Sequence, residues 1–213
     1  MVTDGTPRRR KSRAQTQAET RQRLLDAAAT IFARKGYAAA SVEEIAEAAG
    51  YSVGAVYSNF SGKEQLYSEL MAEHAADRVD AVADALRNSR NQPGGVFGEL
   101  GRLLIAAADK NIEVAALRTE FWLHAIRNPD AMGVLARNNG KTIGLLRDVL
   151  VGLLEDHGVD QSIVTPETFA VVVLAIYQGL IRQRRTDPSL VSEELFGQVL
   201  SWQLAGMPKI DKR

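Results

Sequence analysis

Three of the six prolines stand directly after a residue that caps helices, at Asn128-Pro129, Thr165-Pro166 and Asp187-Pro188, and none falls inside an apolar-periodic segment. A capping side chain followed by proline at the first helical position starts a helix, because the ring presets φ and its missing N–H is one that an α-helix leaves unpaired anyway. Two capping boxes add further starts, Ser41-Val42-Glu43-Glu44 and Ser61-Gly62-Lys63-Glu64, in which the serine caps and the glutamate reaches back. No alternating strand pattern bounded by hairpin turns occurs anywhere. These signals restrict the chain to an all-α fold.

The spacing of apolar residues fills in the elements. Leu24, Ala28, Ile31, Phe32 and Lys35 form a helical stripe widened by Leu25, and Gly36 is placed where the chain must turn left-handed. The box at Ser41 opens a short helix with Val42, Ile45, Ala46 and Ala49 on one face, which stops at Gly50. Ser52 caps a second short helix through about Phe60, and a long helix runs from Lys63 to about Arg90. Further helices are expected at about 95–109, 112–127, 129–157, 166–184 and 188–205, about nine in all. Gly133, Gly140 and Gly144 predict a kink or break in the middle of the 129–157 helix. Residues 1–18, rich in Arg, Lys, Thr and Gln and without apolar period, read as a disordered basic arm.

Several chemistries are excluded by composition. The chain has no cysteine, so it has no disulfide framework, no Cys-ligated metal and no thiol nucleophile. Its three histidines, His74, His124 and His157, are not in metal-ligand spacing. A glycine-rich phosphate loop and a nucleophile–base pair are also missing, so no catalytic residue and no cofactor are assigned. No apolar run approaches the length of a membrane span, and the basic N-terminus is not followed by an apolar signal core. The expectation is therefore a soluble, cytoplasmic protein with no membrane partner.

Charge is unevenly placed. The 26 basic and 26 acidic side chains cancel overall. Residues 1–63 nevertheless carry ten basic and six acidic groups, which leaves the remainder acidic. A basic front end on an acidic body suits a polyanionic partner, although a solvated basic tail has the same composition.

Two short helices joined through Gly50-Tyr51-Ser52 after a longer one make a helix-turn-helix. Gly50 permits the tight turn, and Ala46, Ala48 and Ala49 allow close approach. Val53 and Val56 are expected to be buried, leaving Gly54, Ala55, Ser58 and the Tyr57 hydroxyl facing outward. A short helix with small outer residues fits a major groove. Any small helical bundle also contains such a hairpin.

The residues go further. Thr20–Leu70 closely resembles the N-terminal DNA-binding domain of TetR-family transcriptional regulators. It matches at Ala28, Phe32, Gly36, Tyr37, Ser41, Val42, Ile45, Ala46, Ala49, Gly50, Ser52, Tyr57, Phe60, Lys63, Glu64 and Leu66. The resemblance implies a DNA-binding domain at 19–66, with its helix-turn-helix at about 43–62, and a helical ligand-binding and dimerisation domain at 67–213. It implies that Tyr57 touches a phosphate; the alternative is packing against the first helix. Asn59 corresponds to a family position that often holds a phosphate-contacting histidine.

Lys63, in the first turn of a long helix, is expected to clamp a phosphate or else to be merely solvated. Ser41 caps its helix and can also reach a phosphate. Ser52, Val53, Gly54, Ala55 and Ser58 offer no arginine–guanine or glutamine–adenine fork. Specificity is therefore expected from methyl and hydroxyl contacts, DNA shape and half-site spacing. The arm Arg8–Arg13 is a candidate for further DNA contacts.

One helix-turn-helix makes few contacts, so a homodimer on a palindromic double-stranded DNA operator is expected. Leu174, Tyr177, Gln178 and Ile181, with Leu195, Val199 and Trp202, are candidates for an antiparallel four-helix interface or for core. Phe97, Leu104, Phe121, Trp122, Ala125, Ile126, Leu146, Phe169 and Val173 either line an apolar cavity for a small effector or fill a core. His124 is positioned to supply a polar contact. By resemblance, effector binding would move the long helix and relieve repression. The rival reading is a helical ligand-binding or interaction protein that does not bind DNA.

Overall fold

The computed structural model describes residues 12–88, 95–110 and 112–210. Among them nine α-helices account for the regular structure: α1 (Arg13–Ala39), α2 (Val42–Ala49), α3 (Val53–Asn59), α4 (Lys63–Asn88), α5 (Gly95–Lys110), α6 (Ile112–Ile126), α7 (Pro129–Asp156), α8 (Pro166–Thr186) and α9 (Leu195–Gly206). A 3₁₀ turn spans Pro188–Leu190, and a single isolated β-bridge joins Val159 to Lys209. The chain divides into two units, Met1–Leu70 and Met71–Arg213.

The first unit is built on α1 to α3 and the start of α4. Helix α1 begins at Arg13, within the segment expected to be disordered. Ser12 caps it: the Ser12 Oγ accepts from the Gln15 N–H at 3.2 Å, and the Gln15 Oε1 accepts from the Ser12 N–H at 2.9 Å. The first two turns of α1 are exposed, so they carry no apolar period to reveal them. Residues 1–11, the rest of the expected arm, lie outside the described residues. At Gly36 (φ 77°) the chain leaves helical geometry and Tyr37 turns inward. The Tyr37 ring sits 5.7 Å from that of Phe32 and 5.8 Å, edge-on, from that of Tyr67. Burial pushes the Tyr37 hydroxyl pKa upward, and the Glu64 carboxylate adds to the shift. Tyr67 thus belongs to the first core, and the division falls after Leu70 rather than after residue 66.

The second unit has its own core, with Val79, Leu104, Leu150, Leu154, Phe169, Val173, Phe196 and Leu200 at its centre. Helices α5 and α9 cross at glycines: a Cβ on Gly101 would lie 2.7 Å from the Glu193 carbonyl oxygen, and one on Gly197 would run into that of Phe97. The end of α8 is tied to the end of α5 by two arginines. The Arg184 guanidinium pairs with Asp109 at 2.9 Å and donates to the Val191 carbonyl at 2.6 Å, and Arg185 donates to the Ala108 carbonyl at 2.6 Å.

Three sequence expectations are corrected here. Helix α7 is continuous through Gly133, Gly140 and Gly144, because packing along α6 and α8 outweighs the modest cost of each glycine. Asp187 does cap Pro188, but it opens only the 3₁₀ turn, and the helix proper starts at Leu195. Helix α4 does begin at Lys63, yet the Ser61 N–H donates to the Gln65 Oε1 at 2.6 Å instead of to Glu64.

Candidate functional site

Helix α2 ends in a left-handed turn. Gly50 has φ 73° and ψ 31°, its N–H donates to the Glu47 carbonyl at 3.0 Å, and the Tyr51 N–H donates to the Ala46 carbonyl at 2.9 Å. This pair of bonds satisfies carbonyls that the helix end leaves free. The chain then re-enters a helix at once, with the Ser52 Oγ accepting from the Ala55 N–H at 3.2 Å. Val42, Ile45 and Ala46 of α2 are buried, as are Val56 of α3 and Phe60 just after it. Val53 and Ala55 are half-buried, so the two sides of α3 differ from expectation in that Val53 is not a full core residue.

What remains exposed is Ser52, Gly54, Tyr57 and Ser58. Tyr57 is 55% exposed and stands outside the core. Ser58 donates to the Ala55 carbonyl at 2.9 Å. With Val53 at its edge, α3 presents a slim face of hydroxyls and small side chains that carries no carboxylate.

Ser41 has the capping geometry expected of it: its Oγ accepts from the Glu44 N–H at 3.2 Å, and Glu44 accepts from the Ser41 N–H at 3.4 Å. The Glu44 carboxyl is also bonded to Lys35, and chiefly that bond holds its pKa below the usual carboxylate value.

Two candidate phosphate contacts are engaged inside the fold. The Lys63 ammonium donates to the carbonyls of Tyr37 (2.8 Å), Ala40 (2.9 Å) and Ala38 (3.4 Å), and lies 4.4 Å from the centre of the Tyr37 ring. Burial lowers its pKa, with Glu64 opposing the shift. The break of α1 at Gly36 leaves carbonyls that need donors, and Lys63 supplies them. Lys63 thus clamps the end of α1. The Asn59 amide donates to the Ala55 carbonyl at 2.8 Å and to the Ser58 Oγ at 3.3 Å, so it too is turned back onto α3.

One residue escaped the sequence reading. The Arg21 guanidinium lies 4.1 Å over the Phe60 ring and bonds both the Asn59 carbonyl and the Glu69 carboxylate. It fixes α1 to the segment that follows α3. The signal was present: the stripe of Phe32, Ala28 and Leu25, continued one turn towards the N-terminus, lands on Arg21.

In the second unit the expected ligand-binding residues differ in burial. Leu104, Leu146, Phe169 and Val173 are buried in the common core, with Phe97 packed against it. Phe121 and Ala125 are buried on α6, where the Phe121 and His124 rings are 5.9 Å apart. Trp122 is 48% exposed and Ile126 is also exposed. Alternation along α6 explains this, since Leu117, Phe121 and Ala125 occupy its inward face and Trp122 lies about 100° away. A recess of about 450 Å³ lies between the start of α8 and the end of α9; of the expected residues, Phe169 lines it, beside Val172 and Trp202.

The expected dimerisation residues likewise split. Leu174 and Tyr177 are buried, with the Tyr177 ring edge-on to Phe196 at 5.8 Å, and belong to the core. Leu195, Val199 and Ile181 are half-buried. Gln178 is exposed and Trp202 is 64% exposed. Val171, Ala175, Gln178 and Arg182 recur on the outward side of α8, opposite its core-facing stripe.

Among the described residues no group of three His, Cys, Asp or Glu side chains could hold a metal ion, and no helix is long and apolar enough to cross a membrane. Among the described residues, α2, the tight glycine turn and the capped, exposed α3 form a helix-turn-helix. Residues 24–70 match the family model of the bacterial regulatory proteins, tetR family. The chain is also 30% identical to the HTH-type transcriptional regulator TtgR of Pseudomonas putida over 94% of both proteins, and it belongs to the TetR family of transcriptional regulators. It is 41% identical to the HTH-type transcriptional repressor AcnR of Corynebacterium diphtheriae over 30% of this chain and 34% of that protein. The fold matches the multidrug binding protein EbrR, solved in complex with imidazole, with a TM-score of 0.65, 23% identity, and coverage of 98% of this chain and 100% of that one.

Proposed function

We propose that the protein is a repressor that binds a palindromic operator as a homodimer and leaves it when a small, largely apolar effector enters the second unit. The observation that carries this reading is the outward face of α3, where Tyr57 stands 55% exposed among Ser52, Gly54 and Ser58 with no acidic side chain on the helix. Tyr57 is assigned to a phosphate, and Ser52, Val53, Ala55 and Ser58 to base edges and the groove wall. Repression is supported by the likeness to AcnR, and an effector by EbrR, whose solved form is described as multidrug binding.

The dimer is assigned to the outward sides of α8 and α9, through Val171, Ala175 and Gln178 on one and Trp202 on the other. A face of this composition, apolar with small residues, suits helix-on-helix packing across a two-fold axis. As a regulator of transcription the protein is assigned to the cytoplasm. The test is a mobility shift on the DNA upstream of its own gene, repeated over a salt series, with in vitro transcription from the same fragment. Specific, salt-sensitive binding that lowers transcription is expected. An absence of binding at low salt would replace this reading with that of a helical ligand-binding protein.

A further inference from the structure

Helix α8 starts at Pro166 under the Thr165 cap, and α9 stops at Gly206. The chain beyond α9 is fastened down. The Lys209 ammonium donates to the Leu204 carbonyl at 2.6 Å, the Asp160 N–H to the Pro208 carbonyl at 2.9 Å, and the Ile210 N–H to the Gly158 carbonyl at 2.9 Å. The recess of about 450 Å³ lies against these two helix ends and the start of the fastened tail. Its walls are fixed by hydrogen bonds, and its volume falls within the range of small-molecule sites.

The lining determines what fits. Phe169 is buried, while Val172 and Trp202 are exposed, so the recess carries aromatic surface at both levels. Among the described residues none that lines it is charged, so neither a carboxylate nor an ammonium finds a counterion there. Gly206 adds no side chain, and a Cβ on it would meet nothing within 4 Å. Two polar side chains take part, Thr168 and Gln203. The Thr168 Oγ1 already accepts from the Thr165 hydroxyl at 2.9 Å. The Gln203 Oε1 is buried and has no hydrogen-bond partner. A buried amide oxygen without a donor is uncommon and costly. The last torsion of a carboxamide is soft, so this oxygen can turn to meet a donor that enters the recess.

We propose that the recess binds a small, neutral aromatic molecule carrying one O–H or N–H donor, its ring against Phe169 and Trp202 and its donor on the Gln203 carboxamide. This rests on the reading of the second unit as the one an effector enters, and gives that effector a place and a hydrogen-bonding requirement. Trp202 also lies on the face assigned to the dimer, so a second copy of the chain is the competing occupant.

Trp122→Phe leaves Trp202 as the sole tryptophan. In the test, Trp202 emission of the full chain in that background is followed during titration with 4-propylphenol, 4-propylanisole and 4-propylbenzoate. The phenol changes the emission saturably, and the ether and the carboxylate each need concentrations about fivefold or more higher, the worth of one hydrogen bond. Gln203→Leu brings phenol and ether to within about twofold of each other. Gly206→Leu fills the recess and abolishes the phenol's effect without lowering the melting temperature, which keeps the test decisive should Gln203→Leu fail to fold. The site is overturned if the phenol gives no saturable change, if phenol and ether bind alike before Gln203 is replaced, or if Gly206→Leu still binds. Emission that follows protein concentration and ignores the phenol assigns the recess to a second copy and overturns it as well. No DNA enters the measurement, so failure on an operator leaves this result standing, and failure here leaves the operator reading standing.

Discussion

The Lys63 ammonium lies 2.8 Å from the carbonyl oxygen of Tyr37 and 4.4 Å from the centre of the same residue's ring. The carbonyl of Ala40, at 2.9 Å, takes a further N–H. The first residue of α4 is thereby fastened to the last turn of α1, at the point where Gly36 breaks that helix. The ammonium is thus engaged by carbonyls and a ring face within the first unit.

Lys63→Met should therefore lower stability and leave the electrostatics of DNA binding unchanged. The carbonyls lose charged donors and the ring loses its cation, which together cost about 1–3 kcal/mol. The measurement is denaturant unfolding paired with the dependence of operator affinity on salt. A true phosphate contact would reduce the slope of log K against log[salt] by about 0.9, and an unchanged slope is expected.

Tyr57→Phe should do the opposite. A side chain 55% exposed contributes little to the core, so the melting temperature should stay within about 1 °C on the scale of surface substitutions. Loss of a hydroxyl–phosphate bond should weaken operator binding by about tenfold or more, the worth of a hydrogen bond to a charged group. Equal affinity for the two proteins would remove Tyr57 from the interface.

The exposed and buried positions of α8 and α9 give a paired expectation. Trp202→Glu together with Ala175→Glu should leave each subunit folded and shift sedimentation towards the monomer, since both positions are exposed. Leu174→Ala, on the buried face, should instead cost about 2–5 kcal/mol of stability through cavity formation. A dimer that survives the double glutamate substitution would place the interface elsewhere.

Glycines in the second unit should respond with opposite signs. A Cβ at Gly140 meets nothing within 4 Å, so Gly140→Ala should stabilise α7 by about 0.5–1 kcal/mol. Gly197→Ala drives a methyl group into the Phe97 backbone and should destabilise by about 3 kcal/mol or more. Chemical denaturation of both variants checks the pair, and an unaffected Gly197→Ala would mean that α5 and α9 do not cross as closely as described.

These glycines also show what sequence could and could not convey. The caps at Ser41, Ser52, Asn128 and Thr165 and the left-handed turn at Gly50 are local chemistry, written within a few residues, and each has the expected geometry. Gly140 and Gly197 look alike in sequence; only the tertiary neighbourhood distinguishes a harmless helical glycine from a required crossing. The partners of Lys63 were illegible for the same reason, being the carbonyls of residues 37–40, far away along the chain. Leu174 and Tyr177 were separable from Gln178 and Trp202 only once the core-facing side of α8 was known.

His74 makes the second unit sensitive to acid. Burial lowers its pKa first, then the charges of Arg78 and Arg118, with Asp77 opposing them. The folded state therefore holds the neutral imidazole, while the unfolded chain binds a proton near the ordinary histidine value of 6.5. Stability from this residue is fully present above pH 6.5 and is lost as pH falls through the lower, folded-state pKa. Melting temperatures recorded from pH 8 to pH 5 should fall below about pH 6.5, and His74→Gln should flatten that part of the profile. Carboxylates such as Glu44, also lowered, titrate below the usual carboxylate value, so their contribution appears at more acidic pH and does not mimic the histidine step. A profile that keeps its slope in His74→Gln would assign the acid sensitivity to another group and free His74 from the arginine pair.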